Sequence, residues 1–456
     1  MSSALAGQPG RLARLRSLLR TGPLAIRDFR LFCIGQLTST VGDFCYAVAL
    51  PWLVLTTHGG TVLLGTVLAC YGVPRTVLIP IGGALADRVS PRTVMLAADA
   101  VRCVLVAVLA VLAARGLASI AYLGPVAALI GAGEGIFLPA SASIMPSLLP
   151  PGDLQAGNGL SSAAIQVGSL AGPVLGGILV TLAGGSATAF AVDAATFAVS
   201  AGALALMRAR RDPSTVAATA PAAGTEAAGP ARVWPLLRRS RELQTILLIA
   251  VLANFVIAGA FEVALPSLAY HRFSGGGYAS PVGQQGAGAG GYGALIACFG
   301  IGSLAGTLVA ARRTNPRRPA MGACAAFVLG AAAIALLPYL GGLPGAGAAA
   351  AIFGAAGYFG NVVTITLLQR WAPPELLGRV MSLVMLAAIG AFPASVALSG
   401  VIVSKIGPAP FFPAAGAVLA IAVLLAATQR QFRDFGARSS DHGEEGSGQA
   451  AVVAGR

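Results

Sequence analysis

The sequence predicts an all-α membrane protein of twelve transmembrane helices in two pseudo-symmetric six-helix bundles. Three observations carry this: 56% of the 456 residues are apolar, only 10% are charged, and the apolar residues fall in long runs separated by short basic clusters. A spanning helix needs about 20 apolar residues, so a chain of this length holds roughly twelve with short connections. The runs place helices at 29–57, 61–86, 92–114, 118–145, 155–182, 186–207, 243–268, 292–311, 319–340, 345–370, 377–404 and 411–428.

The connections give the orientation. Of the 30 basic residues, Arg75 and Arg102 lie inside helices and Arg115, Arg272 and Lys405 on one side; the rest lie at the termini or after even-numbered helices. Basic residues mark the cytoplasmic side, so both termini are expected there, in a multi-pass protein of a bacterial cell membrane. The positive balance is therefore read as orientation and not as nucleic-acid binding. Residues 1–28 form a cytoplasmic arm, 29–207 the first bundle, 208–242 a polar linker, 243–428 the second bundle and 429–456 a disordered cytoplasmic tail. The first thirty residues lack a signal-peptide core, so the first helix is expected to be retained. The Gly-rich stretch 274–291 reads as an external loop.

Three weak repeats support duplication. VALPWL at 48–53 returns as VALPSL at 263–268, ADRVSPR at 86–92 as ARRTNPR at 311–317, and the Pro/Gly pattern of 150–177 partly returns at 373–400. Their similar offsets and shared helix order point to a doubled six-helix unit.

Several chemistries are excluded. Lys405 is the only lysine, so there is no GxxxxGK[ST] phosphate loop. The histidines His58, His271 and His442 fall in connections or the tail, with no HExxH. The six cysteines lie in apolar segments without ligand spacing. No catalytic residue, metal or cofactor is expected: the chain is not expected to be an enzyme, and movement of solute must be secondary transport unless a partner supplies energy.

GALADRVSPR at 83–92 follows the second helix. Gly83 permits close helix approach, Asp87 can accept bonds from the amides of a neighbouring helix start, and Ser90 with Pro91 suits an N-cap and first turn. In the fifth helix, GSLAGPVLGG spaces Gly168, Gly172 and Gly176 by four, with Gly177 beside them and a kink at Pro173. Helix eight offers Gly302, Gly306 and Ala310 at the same spacing. The first motif resembles the loop signature of the major facilitator superfamily, except that Ser90 and Pro91 stand where that family usually has Gly and a basic residue. The second matches its antiporter signature at every fixed position. FRLFCIGQLTSTVGDF near the start and PPELLGRVMSL at 373–383 are similar to the branch with macrolide efflux pumps and the enterobactin exporter. The resemblance implies the major facilitator fold over about 25–430 and export of a drug or secondary metabolite against proton entry, in antibiotic resistance or siderophore release. It further implies a monomer that meets only its small-molecule substrate, protons and lipid.

Charges inside helices are functional candidates by default, since each costs at least about 2.5 kcal/mol at the bilayer centre. They are Asp43, Arg75, Asp99, Arg102, Glu134, Asp193 and Glu262. Gln36, Thr40 and Asp43 make a polar stripe, and at about 1.5 Å per residue Asp43 and Arg75 reach similar heights, as do Arg102 and Glu134. Height therefore suggests Asp43 with Arg75; Glu262 sits nearer the outer surface. Asn254, Tyr358 and Asn361 are expected to line the cavity from the second bundle. A cytoplasmic gate is expected where Gly83, Asp87, Arg88 and Arg92 meet Arg379 at the start of helix eleven. A proton-coupled uptake symporter is disfavoured by the antiporter signature, and a non-transporting sensor by the retention of five embedded carboxylates.

Overall fold

The computed structural model describes residues 22–58, 60–117, 119–182, 185–208, 240–273, 287–312, 319–372 and 374–429. The arm before residue 22, most of the linker, the tail after 429 and most of the expected 274–291 loop lie outside them. Twelve helices long and apolar enough to cross a membrane are present among the described residues. They are α1 (Arg27–His58), α2 (Thr61–Arg88), α3 (Pro91–Ala114), α4 (Ile120–Ser143), α5 (Leu154–Leu182), α6 (Ser186–Leu206), α7, α8 (Ala287–Arg312), α9 (Pro319–Leu336), α10 (Gly342–Trp371), α11 and α12 (Pro408–Thr428). Helix α7 runs Arg241–Ala258, passes through a π-helical turn at Gly259–Ala264 and continues as Leu265–Phe273. Helix α11 is Pro374–Gly390 and Phe392–Ile406, interrupted before Pro393.

Local chemistry sets the ends. Ser90 caps α3, its hydroxyl accepting from Thr93 N–H at 3.2 Å with Pro91 in the first turn. Ser240 does the same for Leu243 N–H at 3.2 Å. The reversals before α6 and α12 each turn on a glycine with positive φ, Gly185 and Gly407, both at 83°, a conformation costly for any other residue. Two expected boundaries move by five residues: α7 runs on to Phe273 instead of 268, and α8 begins at Ala287, inside the stretch read as loop. Residues 287–291 have poor helix propensity, but Gly290 and Gly293 pack against α5, and that close contact decides the conformation.

Packing repeats between the halves. In the first, α2 packs on α4, α1 on α5 and α6, and α3 on α4 and α6; in the second, α8 packs on α10, α7 on α11 and α12, and α9 on α10 and α12. Adding six to each helix number converts one set into the other. The halves meet through α5 against α8 and α2 against α11, a pair of contacts that the same operation exchanges. This is the duplication that the short repeats announced.

The cross-half contacts lie toward one face. Because helices alternate in direction, the described chain ends, the α2–α3 turn and the start of α11 share one face, called proximal; the other is distal. Thr61 Oγ1 donates to Gly400 O at 3.0 Å, a Cβ on Gly65 would lie 3.2 Å from Gly400 Cα, and the Tyr71 and Phe392 rings meet edge-on at 6.4 Å. Between α5 and α8, Gly177 abuts Ala289 and Gly290, and Gly293 abuts Pro173. The Trp52 and Tyr270 rings close the α1–α7 contact at 5.6 Å. At the proximal side, Pro374–Gly390 packs on α7 and its own second segment, and Asp87 and Arg88 are exposed. Among the described residues the halves are thus sealed distally and parted proximally.

Candidate functional site

The signature glycines of α5 are packing surfaces. Gly168, Gly172 and Gly176 face Thr40, Val41, Phe44 and Cys45 of α1 so closely that an added methyl would overlap them. Gly177 and Pro173 face α8 of the other half. Gly302 and Gly306 of α8 do not meet α5; they press on the α10 carbonyls of Ala351 and Ala355. Helix α8 therefore carries two glycine faces, one for each half.

The close approach of α1, α3 and α6 builds a charged cluster inside the first half. Asp99 of α3 is fully buried, takes a 2.5 Å bond from Arg102 and accepts from the Ser200 hydroxyl of α6 at 2.6 Å. The Arg102 side chain is 2% exposed and lies between the rings of Phe137 at 4.6 Å and Phe197 at 4.4 Å. Its Nη1 is 3.7 Å from Asp43 of α1. The Asp43 side chain is 44% exposed, although it is about 24 Å along α1 from its start. One buried guanidinium thus joins a sealed carboxylate to one that solvent reaches. Asp193 of α6 is buried against Gly42, with the Thr196 hydroxyl 3.4 Å from its Oδ1. Gln36, half-buried two stripe positions below Asp43, accepts at its backbone carbonyl from the Thr40 hydroxyl at 2.7 Å.

A second cluster joins α2 and α4. Arg75 Nη2 is 3.1 Å from Glu134, and the Tyr71 hydroxyl donates to the same carboxylate. The expected Asp43–Arg75 pair is therefore not the close one, though Arg75 remains within electrostatic reach of both Asp43 and Glu262. Spacing along a helix fixes height and not azimuth. Gly131 and Gly135 of α4 admit the α2 backbone at Tyr71 and Arg75, and that contact turns Arg75 toward Glu134.

In the second half, Glu262 is the partly exposed member of the π-turn of α7. Asn254, one face below, bonds its own helix at Ala250 O, 2.8 Å away. Tyr358 and Asn361 of α10 are exposed, Tyr358 with its ring edge-on to Phe299 at 6.2 Å. Phe299 in turn meets Phe261, ring centroids 4.5 Å apart and planes tilted by 44°, so an aromatic wall runs from α10 to the π-turn. Of the gate residues, Gly83 faces Pro139 and Arg92 bonds the α6 carbonyls of Leu204 and Ala205 at 2.7 and 2.8 Å, committing it to that helix end. The Arg379 side chain lies outside the described residues.

Tyr71, Ser200, Phe137 and Phe197 are not singled out by the sequence reading. A signal exists for two: Asp193, Phe197 and Ser200 follow i, i+4, i+7 on α6, one helical face. Among the described residues no group of His, Cys, Asp and Glu could hold a metal ion.

Comparison with known proteins agrees with this architecture. The chain is 31% identical over 196 residues to the multidrug efflux pump Tap of Mycolicibacterium fortuitum, covering 41% of this chain and 46% of that pump. It is 29% identical over 184 residues to Tap of Mycobacterium tuberculosis, covering 39% and 43%; the matches span less than half the length of these relatives. In fold it is similar to the nucleoside transporter NupG, with TM-score 0.69 and 12% identity over 88% of this chain and 100% of that one. A POT family transporter bound to 5-aminolevulinic acid gives TM-score 0.64 and 13% identity over 88% and 96%. Residues 32–383 match the family description itself, and this multi-pass membrane protein belongs to the Major Facilitator Superfamily, a family of transporters and not of enzymes.

Proposed function

We propose that the chain is a secondary active exporter of drug-like or secondary-metabolite small molecules, working by alternating access and proton antiport. It would act as a monomer in a bacterial cell membrane, with the proximal face and both termini in the cytoplasm. The observation that carries the reading is Asp43: a half-exposed carboxylate in the middle of an apolar bundle, tied through Arg102 to the sealed Asp99. An embedded carboxylate that solvent reaches is a place for a proton to bind and leave. Basic residues crowd the proximal face, which supports the orientation, and the likeness to Tap supports a drug-like cargo. With the halves parted proximally, Asp43, Arg75, Glu134 and Glu262 face substrate from the cytoplasm, and Tyr358, Asn361 and Asn254 complete the opposite wall.

Asp43→Asn keeps the shape and removes the titratable group. In proteoliposomes, export driven by an imposed proton gradient is expected to fall at least about tenfold, a change that 1.4 kcal/mol of lost coupling suffices to produce, while downhill substrate exchange persists. Gradient-driven export at the normal rate would remove Asp43 from the coupling scheme.

The gate assignment has its own test. Asp87 is exposed in this proximally open form; on closure it would cap the amides at the start of α11 and meet Arg379. Such a cap is worth about 1 kcal/mol and is available in one state only, which is the condition for shifting a two-state equilibrium. Asp87→Ala, which removes the acceptor, should therefore enrich the proximally open population about fivefold. Electron-resonance distances across the proximal face should lengthen; an unchanged distribution refutes the gate.

A further inference from the structure

The π-turn of α7 has a cause in the sequence. Pro266 has no N–H for the carbonyl of Glu262, and its ring crowds that same carbonyl. Leu265 N–H passes over its α-helical acceptor, Phe261 O, and bonds Ala260 O instead. Phe261 O thereby loses its helical donor. The buried Tyr292 of α8 replaces it, donating its hydroxyl to Phe261 O at 2.9 Å. On the other side, Ser395 of α11 donates to Phe255 O at 2.6 Å. The turn is thus tied to α8 and α11, the two second-half helices that seal against the first half.

Proline alone does not make this turn. Pro51, its counterpart in the repeated VALP, lies inside an unbroken α-helix, and the α2 tyrosine at a related offset, Tyr71, donates to Glu134 instead. Within the turn Gly259, Ala260, Phe261, Val263 and Ala264 are buried and Glu262 is half-exposed. The turn lies against α1 and α2, with Glu262 within electrostatic reach of Arg75. A π-turn inserts one residue, so its loss would rotate one side of α7 against the other by about 100° and swing this carboxylate off that face.

We propose that Tyr292 is a positioning residue: its hydroxyl holds the π-turn of α7 and so aims Glu262 across the halves at the Arg75–Glu134 pair. The second half gains a carboxylate at the first half's ion pair only while the tie is made, and the tie comes from a helix of the distal seal. The inference rests on the transporter reading for its activity arm alone; the labelling arm stands without it.

The test uses the full chain in nanodiscs, treated with dicyclohexylcarbodiimide, with modification at Glu262 and Glu134 quantified by mass spectrometry. Tyr292→Phe is expected to lower Glu262 modification at least threefold, leaving Glu134 within twofold of its original level. The double variant, Tyr292→Phe with Pro266→Ala, should recover the thermal stability lost in Tyr292→Phe, because the backbone N–H that replaces the proline ring allows a regular helix, yet recover neither Glu262 modification nor transport. If Tyr292→Phe does not fold, the double variant, which lacks the hydroxyl but regains the backbone donor, decides alone. Unchanged Glu262 modification in a folded variant that lacks the Tyr292 hydroxyl, or a double variant that regains modification along with stability, overturns the proposal. Normal positioning with no transport of any tested substrate would count against the exporter reading and leave this one standing.

Discussion

Replacing Arg102 with methionine is expected to destabilise the folded protein by about 3–5 kcal/mol, enough to remove most of it from the membrane. The side chain is 2% exposed and holds Asp99 at 2.5 Å; without it a fully buried carboxylate has only the Ser200 hydroxyl. Methionine fills the space between Phe137 and Phe197 but supplies no donor. Neutralising the partner as well, in Asp99→Leu with Arg102→Met, should restore much of the stability, since an apolar pair of similar volume avoids the desolvation cost. Transport should stay lost, because Asp43 has then lost its nearest cation. Thermal melts in detergent separate the cases: a single variant that melts within about two degrees of the parent would show that the guanidinium does not hold this core.

Joining Trp52 to Tyr270 is expected to reduce turnover to background. Their rings meet at 5.6 Å where α1 and α7 close the distal side. Cysteines at both positions, in a chain whose native Cys33, Cys45, Cys70, Cys103, Cys298 and Cys324 have been replaced, can be bridged by a short bifunctional thiol reagent. Alternating access requires this seal to part once per cycle, so a complete bridge stops export and a reducing agent restores it. Undiminished export with the bridge fully formed would mean that substrate leaves by another route.

Much of this architecture is legible in the sequence. The apolar runs mark all twelve helices, and the α5 glycines announce a close packing face; both are one-dimensional signals. The ion-pair partners are not, because height along a helix is local and neighbour choice is tertiary. Arg75 goes to Glu134 because Gly131 and Gly135, a GxxxG pair of a kind common in membrane helices and silent about its partner, bring α2 onto α4. Ser200 is hard to see for a similar reason: hydroxyls are frequent in these helices, and most, such as Thr38, Thr66 and Thr307, donate to a carbonyl of their own helix. The start of α8 reads wrongly from sequence because glycine argues for a loop locally and for helix contact globally. Pro266 is visible, but nothing in the sequence around it tells a π-turn from the plain proline helix found at Pro51.

The distal seal of α5 on α8 is made largely of glycine, and this bears on how such a protein can evolve. No residue is smaller than glycine, so every mutation at Gly177 or Gly293 adds atoms where backbone already stands. Selection there has one direction, rejection. Tyr358 and Asn361, by contrast, are exposed on α10, where a larger, smaller or differently polar side chain meets no such backbone. A lineage built this way can drift in what it carries while the way it opens and closes stays fixed.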